Sequence, residues 1–595
     1  MVVSVHPARS AAYYIDQVAS ERHDYYAGHG EAPGVWTGKF AADLGLSGEV
    51  TPEAFRAVLA ETHPETGERL KRWRNTKVTA WDLHFAPPKS VSALWAIAPP
   101  EIREVIAQAQ AAAVQAALGY LAEHACVARL GKQGVNAQPG TGFATATFTH
   151  RTSREGDPQL HTHAVTGNIA ETIDGRRAAL DGARFYAHRF AADGVYLTAL
   201  HAGLSPLGLA WTLRDGQWEI EGMPAGLCRI WSTRSAQIRE QMAARGTSGG
   251  RAAEAAALAT RRPKPDVAPD GENLHDRFQQ QARDAGYLPE QIVAATLHRT
   301  PVAAIPDELE HPRGRERGPA GRPGRPGRLL ADPTVADTAA AMIAELVGPE
   351  GLTEKASSFG RRDVIDHAAQ LLPRFHPLPA ATADEARQLL ERIADRVTRD
   401  PRVIPLLEPA GRSAGEVIRP RDEHGRVLRE VCTQAERRYS TVDLLAAEHE
   451  LLQRAHARQT DRVAVVSEEQ VEAALAAHAG LDADQEAMVR RLASSGAGVD
   501  VVVGKAGTGK TSALRCYGEV ARRAGVPVVG VAPSATAAHQ LSVSAGIEAC
   551  TLDKLLVEVA HGHRHLPAGV VVIVDEAAMV DTRNRLALQR LVDNA

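Results

Sequence analysis

Three histidines stand where strands can aim them at one point. His161 and His163 are two residues apart in Gln159-Leu-His-Thr-His-Ala-Val165, so on a strand both rings leave the same face. His150 ends another alternating segment, Phe143-Ala-Thr-Ala-Thr-Phe-Thr-His150, eleven residues before His161. A lone buried histidine is more often a satisfied core residue, but three converging imidazoles suit a divalent ion that polarises a substrate oxygen. In Val78-Thr-Ala-Trp-Asp-Leu-His-Phe85, Asp82 and His84 share one face and Trp81, Leu83 and Phe85 the other. A carboxylate on that polar face can orient an imidazole or accept a proton. Tyr13-Tyr14 and Tyr25-Tyr26 come earlier in the chain. Such aromatic pairs usually fill a core, yet a tyrosine oxygen can also attack a phosphodiester and conserve the bond as a phosphotyrosine.

A second chemistry lies near the C-terminal end. Gly504-Lys-Ala-Gly-Thr-Gly-Lys510-Thr511 satisfies GxxxxGK[ST]; the apolar run Val499 to Val503 is expected as the strand before it and Ser512 to Arg523 as the helix after it. Gly504, Gly507 and Gly509 let backbone N–H groups curl around phosphate oxygens, at a helix N-terminus whose dipole favours anions. Lys510 then reaches the β/γ-phosphates and Thr511 the Mg²⁺. Downstream, Val570-Val-Val-Ile-Val-Asp575-Glu576 ends a buried strand in two carboxylates, Asp575 suited to hold the magnesium and Glu576 to align a water. A nucleotide-binding fold without hydrolysis is the competing reading of the same residues.

These residues need elements to hold them. The two alternating segments, a long Ala-rich helix pattern from Ile102 to Ala125 between them, and a turn at Arg154-Glu-Gly-Asp-Pro158 predict a β-α-β arrangement with an antiparallel return. Residues 311–328 hold six Arg, five Gly and four Pro, a composition that cannot pack and reads as a basic tether or a sequence-independent phosphate contact. From about 335 to 460 the pattern is helical and acidic, with Asp384-Glu-Ala-Arg-Gln-Leu-Leu-Glu-Arg-Ile-Ala-Asp as an amphipathic piece. Apolar runs at Val499–Val503, Val526–Val531 and Val570–Val574 then alternate with helix patterns at parallel-sheet spacing.

The N-terminal set resembles the TrwC/TraI-type (MobF) conjugative relaxases of the three-histidine HUH endonuclease class. The matching stretches are Ala11-Ala-Tyr13-Tyr14, Asp24-Tyr25-Tyr26, Trp36-Thr-Gly-Lys39, Leu44-Gly-Leu-Ser-Gly-Glu49, Asp82-Leu-His-Phe-Ala-Pro-Pro-Lys89-Ser-Val-Ser92, His150-Arg-Thr-Ser-Arg154 and Asp157-Pro-Gln-Leu-His-Thr-His163. The C-terminal set resembles the start of a superfamily I, RecD-like helicase motor. There Leu481-Asp-Ala-Asp-Gln485 is similar to the glutamine motif that reads adenine, and Val531-Ala-Pro-Ser-Ala-Thr536 to a single-strand contact motif.

The resemblance implies roles residue by residue. Tyr13 matches the nucleophile that nicks one strand at a transfer origin, stays joined to the 5′-phosphate and leaves a free 3′-OH. Tyr25 matches the tyrosine of a second strand transfer, with Tyr14 and Tyr26 beside them. His150, His161 and His163 match the metal ligands, Asp82 the carboxylate that orients a ligand histidine or takes the tyrosine proton, and Lys89 and Arg154 phosphate contacts. Gln485 matches the adenine reader. The implied fold is an α+β relaxase domain, an antiparallel palm-like sheet with helices, followed by helical regions and a partial α/β P-loop (RecA-like) lobe. The implied cofactors are Mg²⁺, Mn²⁺ or Zn²⁺ at the three-histidine site and ATP with Mg²⁺ at the P-loop. The implied partners are single-stranded DNA at a transfer origin, accessory transfer proteins and a coupling or secretion machinery. Two departures stand out: His84 occupies a position where the family carries Thr or Ser, and the chain ends soon after Asp575, before the later motor motifs, as expected of an incomplete motor.

With 595 residues, 44% hydrophobic and 24% charged, the chain can bury several cores and is no disordered tail. Its net charge of −4 gives no global signature of a nucleic-acid binder, so DNA affinity must come from local basic faces. Five scattered cysteines without a CxxC argue against a disulfide framework or a thiolate zinc site. No apolar run suggests a membrane span and no signal sequence is evident, so a cytoplasmic protein without membrane insertion is expected. The expected organisation is a relaxase domain over 1–300, a basic linker over 301–333, a mostly helical domain over 334–470 and the P-loop lobe over 471–595. Alternatives are a rolling-circle replication or transposition initiator, a non-catalytic DNA- and ATP-binding remnant, and a P-loop ATPase whose histidines form a structural metal site.

Overall fold

In the computed structural model, the described residues are 3–8, 33–71, 78–131, 136–153, 155–246, 252, 255–256, 259, 274–299, 333–374, 380–406, 437–478, 480–505 and 507–594. The four tyrosines Tyr13, Tyr14, Tyr25 and Tyr26, Arg154 and the basic stretch 311–328 lie outside them. The chain divides into two compact units. One comprises Met1–Leu346, Gly360–Arg399 and Leu407–Arg437, and the other Val347–Phe359, Asp400–Leu406 and Arg438–Ala595. The stretch expected as a separate helical domain, 334–470, is thus shared between them.

The first unit is organised by a five-stranded sheet. Its strands are β1 (Val3–Ala8), β2 (Val35–Thr37), β3 (Ala80–Phe85), β6 (Thr145–Thr152) and β7 (Pro158–Gly167), ordered β1-β3-β7-β6-β2 with every pair antiparallel. A four-stranded sheet of β4 (Val127–Leu130), β5 (Asn136–Pro139), β8 (Ala170–Glu171) and β9 (Arg177–Leu180) accompanies it, with a hairpin of β10 (Trp211–Arg214) and β11 (Gln217–Ile220). The alternation read in the sequence therefore produces the expected antiparallel return. One face carries Val3, Val5, Leu83, Phe85 and Ala164, all buried. It is covered by the long helices α4 (Pro100–His124) and α5 (Gly182–Leu204), which pack on each other, as Phe85 against Tyr196 at 5.6 Å and Gln110 bonded to Tyr196 and Thr162 show. At the start of α5, Gly182 lies against the Trp81 ring, where a Cβ would come within 2.0 Å of an indole carbon.

The other face changes character along its length. At one end Ala8, Trp36, Ala80, Ala146, Phe148 and Val165 meet Phe40 and Phe55 from α1 (Lys39–Asp43) and α2 (Pro52–Leu59) to form a closed apolar cluster. Helix α2 starts where Thr51 accepts from Ala54 N–H and Pro52 supplies the fixed φ of a first helical turn. The opposite end of this face is left to polar side chains: Ser4, His6, Asp82, His84, His150, His161 and His163 share its parity in the strand register. The apolar end anchors the sheet and fixes the register, because a one-residue slip would move every histidine to the helix-covered side.

Helix α3 (Lys89–Ile97), almost wholly buried, follows β3 directly. Helix α4 is long and apolar enough to cross a membrane, with a mean hydropathy of 1.3 over its best window, a feature the sequence reading missed. Alanines raise that value. The helix itself is a core element, burying Gln110 with satisfied bonds and packing on α5. Helices Arg361–Leu371 and Ala383–Thr398 add to this unit, the second being the amphipathic piece expected at Asp384, opened by a reciprocal Thr382/Glu385 cap.

The second unit contains the small pair β12 (Val403–Pro405) and β13 (Tyr439–Thr441) and a parallel sheet ordered β15-β14-β16, with β14 (Val528–Ala532), β15 (Ala549–Thr551) and β16 (Val571–Val574). Helices Ala483–Ser494, Lys510–Arg523, Ala535–Ala545, Leu552–Ala560 and Thr582–Asp593 surround it. Two of the three expected valine-rich strands are thus present. The third is not: Val499 to Val503 forms no strand, and Val501 and Val503 are 82% and 91% exposed. Within that run the Asp500 carboxylate accepts from the Ser495 hydroxyl, tying it to the preceding helix end. An apolar run satisfies strand periodicity without a partner edge; pairing decides whether it becomes one.

Candidate metal centre and nucleotide loop

The imidazole face is assembled by pairing across β3, β7 and β6. His84 stands opposite His163, and His161 opposite His150, after which the β6–β7 register shifts between His150 and Thr152. Directly opposed residues point to the same side of a sheet, so four rings crowd one spot. Ring centroids are 5.1 Å apart for His84 and His161, 5.0 Å for His84 and His163, 5.3 Å for His161 and His163, 5.1 Å for His150 and His161, and 5.4 Å for His150 and His163. Of these, His84, His161 and His163 bring ligand atoms within 4.8 Å of one another. The sequence reading placed His150, His161 and His163 together as ligands; the structure keeps His150 at ring distance and adds His84 to the tightest trio. The signal for His84 was its parity with Asp82, and its distance to His163 depended on a pairing that local spacing does not contain.

Two of the rings are oriented from behind. Nδ1 of His163 faces both oxygens of Asp82, at 2.9 and 3.0 Å, and Nδ1 of His161 faces the Gln159 carbonyl at 3.0 Å. Donation from Nδ1 fixes the tautomer in which the Nε2 lone pair is left for an ion. Asp82 is 5% exposed, so its carboxylate is an interior anchor with no direct access to solvent. Burial works to raise the Asp82 carboxyl, but the charge of His163 and its hydrogen bond outweigh that and hold it below the usual carboxylate range. Burial, reinforced by His163, pushes His84 down to about 3. Burial and the imidazoles of His84, His150 and His163 push His161 well below its ordinary value. Both are therefore neutral bases at physiological pH, the form in which imidazole ligates metals. A cluster of imidazole nitrogens, one ring of it oriented by a buried carboxylate, fits a divalent ion.

Lys89, at the first turn of α3, donates to the Pro158 carbonyl at 2.7 Å, and burial lowers its ammonium to about 8. It ties α3 to the start of β7. The adjacent turn is closed by Asp157, which accepts from the backbone and hydroxyl of Thr233, and by Ser153, which accepts from the N–H groups of Glu155 and Asp157.

In the second unit, Gly507 and Gly509 have φ of +81° and +71°, left-handed values that glycine adopts freely, and the helix Lys510–Arg523 starts immediately after. Lys510 Nζ donates back to the carbonyls of Gly504 at 2.7 Å and Lys505 at 3.0 Å, closing the loop on itself. Gln485 sits in a capping box with Asp482 and also donates from Nε2 to the Thr508 carbonyl at 3.3 Å, so it touches the loop directly. Thr511 lies in the first turn of the helix, and Asp575 and Glu576 follow β16 as expected. Asp575 accepts from the N–H of Glu576, whose φ of +51° is uncommon for a side-chain-bearing residue. Such strain at a strand end concentrates at functional positions.

These two sites belong to two known kinds of domain. Residues 7–285 match the TrwC relaxase family, and residues 480–595 match an AAA domain. Over residues 7–285 the chain is thus similar to the TrwC relaxases and folds as an α+β region with an antiparallel sheet, and over residues 480–595 it matches an AAA domain of the P-loop type. Among relatives, the multifunctional conjugation protein TraI of Escherichia coli (strain K12) is 30% identical over 282 residues, which are 45% of this chain and 15% of that protein. A probable conjugal transfer protein TraA of Sinorhizobium fredii is 27% identical over 232 residues, 39% of this chain and 18% of that protein. The chain thus spans less than a fifth of the length of either. A solved, metal-bound structure of the conjugative relaxase TrwC in complex with oriT DNA is 31% identical, covering 48% of this chain and 99% of that one, with a TM-score of 0.43.

Proposed function

We propose that this protein is a DNA relaxase that cuts and rejoins single-stranded DNA at a transfer origin by metal-assisted tyrosine transesterification. The observation that supports the reading best is the convergence of His84, His150, His161 and His163 on one polar end of the sheet, with Asp82 orienting His163 from the interior. The conjugation proteins to which the chain is similar point the same way.

In this reading Tyr13 is the nucleophile and Tyr25 serves a second strand transfer, with Tyr14 and Tyr26 as their neighbours. The Tyr13 oxygen attacks the scissile phosphorus, the 3′-oxygen of the upstream nucleotide leaves as a free hydroxyl, and the 5′-phosphate stays on the protein. His150, His161 and His163 would hold a divalent cation, which would supply electrophilic polarisation of a phosphate oxygen against the charge that builds during displacement. Asp82 holds the His163 ring in its ligating orientation. Because the phosphotyrosine conserves the phosphodiester bond, the reverse reaction needs no ATP. Arg154 and Lys89 are candidate phosphate contacts, Lys89 only after releasing Pro158.

The AAA domain is read as an ATP site, with the loop Gly504–Lys510 around the phosphates, Thr511 and Asp575 on Mg²⁺, Glu576 on the water and Gln485 at the base. Accessory transfer proteins, a coupling or secretion machinery and a cytoplasmic location complete the reading. Its test is incubation of the chain with Mg²⁺ or Mn²⁺ and single-stranded oligonucleotides from DNA flanking its gene, resolved on a denaturing gel. A protein–DNA adduct that disappears in Tyr13→Phe supports the relaxase; an adduct that survives Tyr13→Phe, or none with any flanking sequence, refutes it.

A further inference from the structure

The position of His84 carries a consequence for which ion the site takes. We infer that His84 is itself a metal ligand, completing a centre of four imidazoles with His150, His161 and His163 that selects late first-row ions such as Co²⁺, Ni²⁺ or Zn²⁺ over Mg²⁺ and Mn²⁺. This rests on the reading of the histidine face as a metal centre and extends it.

Geometry is the first support. His84, His161 and His163 are the three whose ligand atoms come within 4.8 Å of one another, a spacing that one ion can span, and His84 joins the two β7 histidines from the neighbouring strand β3. Antiparallel opposition to His163 fixes its direction, and the closed apolar cluster at the far end of the same face fixes the register.

The second support is hydrogen bonding. His161 and His163 each have a backbone or carboxylate acceptor on Nδ1, whereas among the described residues neither ring nitrogen of His84 makes a hydrogen bond. A half-buried polar ring whose close neighbours are other imidazoles gains a partner when an ion enters between them. Its neighbours on β1 do not supply one: Ser4, directly opposite, bonds to His6.

Chemistry then sets the preference. Mg²⁺ and Mn²⁺ favour carboxylate, carbonyl and water oxygens, whereas imidazole suits Zn²⁺, Cu²⁺ and Ni²⁺, with affinity rising along the first row. A fourth nitrogen donor strengthens that bias, and four protein ligands make a more closed site than three.

The test uses the full chain, stripped by chelator and titrated with Co²⁺, whose visible spectrum reports coordination number and donor type. Unaltered protein, His84→Ala, His84→Gln and His163→Ala are compared, with thermal melts of the metal-free forms to verify folding. The expected result is one equivalent of Co²⁺ with a strong visible band, not displaced by equimolar Mn²⁺. His84→Ala and His84→Gln should lower affinity about tenfold or more and change the band, since loss of even an outer partner costs about 10–100-fold. Wild-type affinity and spectrum in both His84 variants, alongside loss in His163→Ala, would overturn the role of His84 and leave the metal centre standing. No Co²⁺ binding, or binding untouched by His163→Ala, would overturn the metal centre and this inference with it.

Discussion

Asp82 and His163 sit on adjacent antiparallel strands, and the carboxylate of the first accepts from Nδ1 of the second at 2.9 Å. They are not directly opposed: His163 faces His84, and Asp82 faces Val165. The bond is therefore a diagonal one, reaching back along β3 toward the apolar cluster that holds the register. Asp82→Asn keeps the shape but gives up the charge that holds the His163 ring, so Co²⁺ affinity is expected to fall about 10–100-fold by calorimetric titration. Unchanged affinity would show that the ring keeps its orientation without the carboxylate.

The pH dependence of stability has a defined sign. Burial lowers His84 and His188 each to about 3 from an ordinary 6.5. Between those values the unfolded chain binds protons that the folded chain does not, so stability is full above about pH 6.5 and falls as pH drops toward 3. For the metal-free protein, the urea midpoint of the first unit should stay level above about pH 6.5 and decline from there to pH 5, and His188→Gln should flatten that slope. A midpoint independent of pH in that range contradicts the neutral, buried state of these rings.

Gly182 tests the packing under the site. Its missing side chain lets α5 approach Trp81, whose indole also donates to Asn168 at 3.2 Å. Gly182→Ala must move one or the other, and overpacking of this kind costs about 1–3 kcal/mol. A lowered melting temperature for the first unit is expected; an unchanged one would mean that the helix start yields without strain.

The loop of the AAA domain makes a simpler prediction. Lys510 now bonds to its own loop carbonyls, and replacing it removes the cation that would meet the β- and γ-phosphates. Lys510→Ala should weaken binding of a fluorescent ATP analogue at least about tenfold, and Gln485→Ala should weaken ATP more than GTP. Equal loss for both bases would remove Gln485 as the adenine reader and leave it as a helix cap.

Much of this was legible in the sequence because strand alternation is local. The polar and apolar faces of Trp81 to Phe85, the shared face of His161 and His163, and the glycine-rich loop all follow from spacing. What was not legible depended on partners far away in the chain. His84 joins the tightest trio only through the β3–β7 register, with His163 lying 79 positions further along the chain. Val499 to Val503 has strand composition but no edge to pair with in this structure. The apolar look of α4 came from alanine, and only its buried bonds to Tyr196 and Thr162 show how it packs.

The most direct measurement of the central claim is the polarity of the covalent link. Single-stranded oligonucleotides spanning the flanking sequence, labelled at one end or the other, are incubated with the full chain and Mn²⁺ and resolved under denaturing conditions. The account predicts that the protein band carries the 3′-end label and not the 5′-end label, because the downstream fragment is held through its 5′-phosphate. It further predicts that the band is absent with chelator and in His163→Ala. A protein band bearing the 5′-end label, or an adduct indifferent to chelator and to His163→Ala, would contradict metal-assisted attack by a tyrosine at the 5′-phosphate.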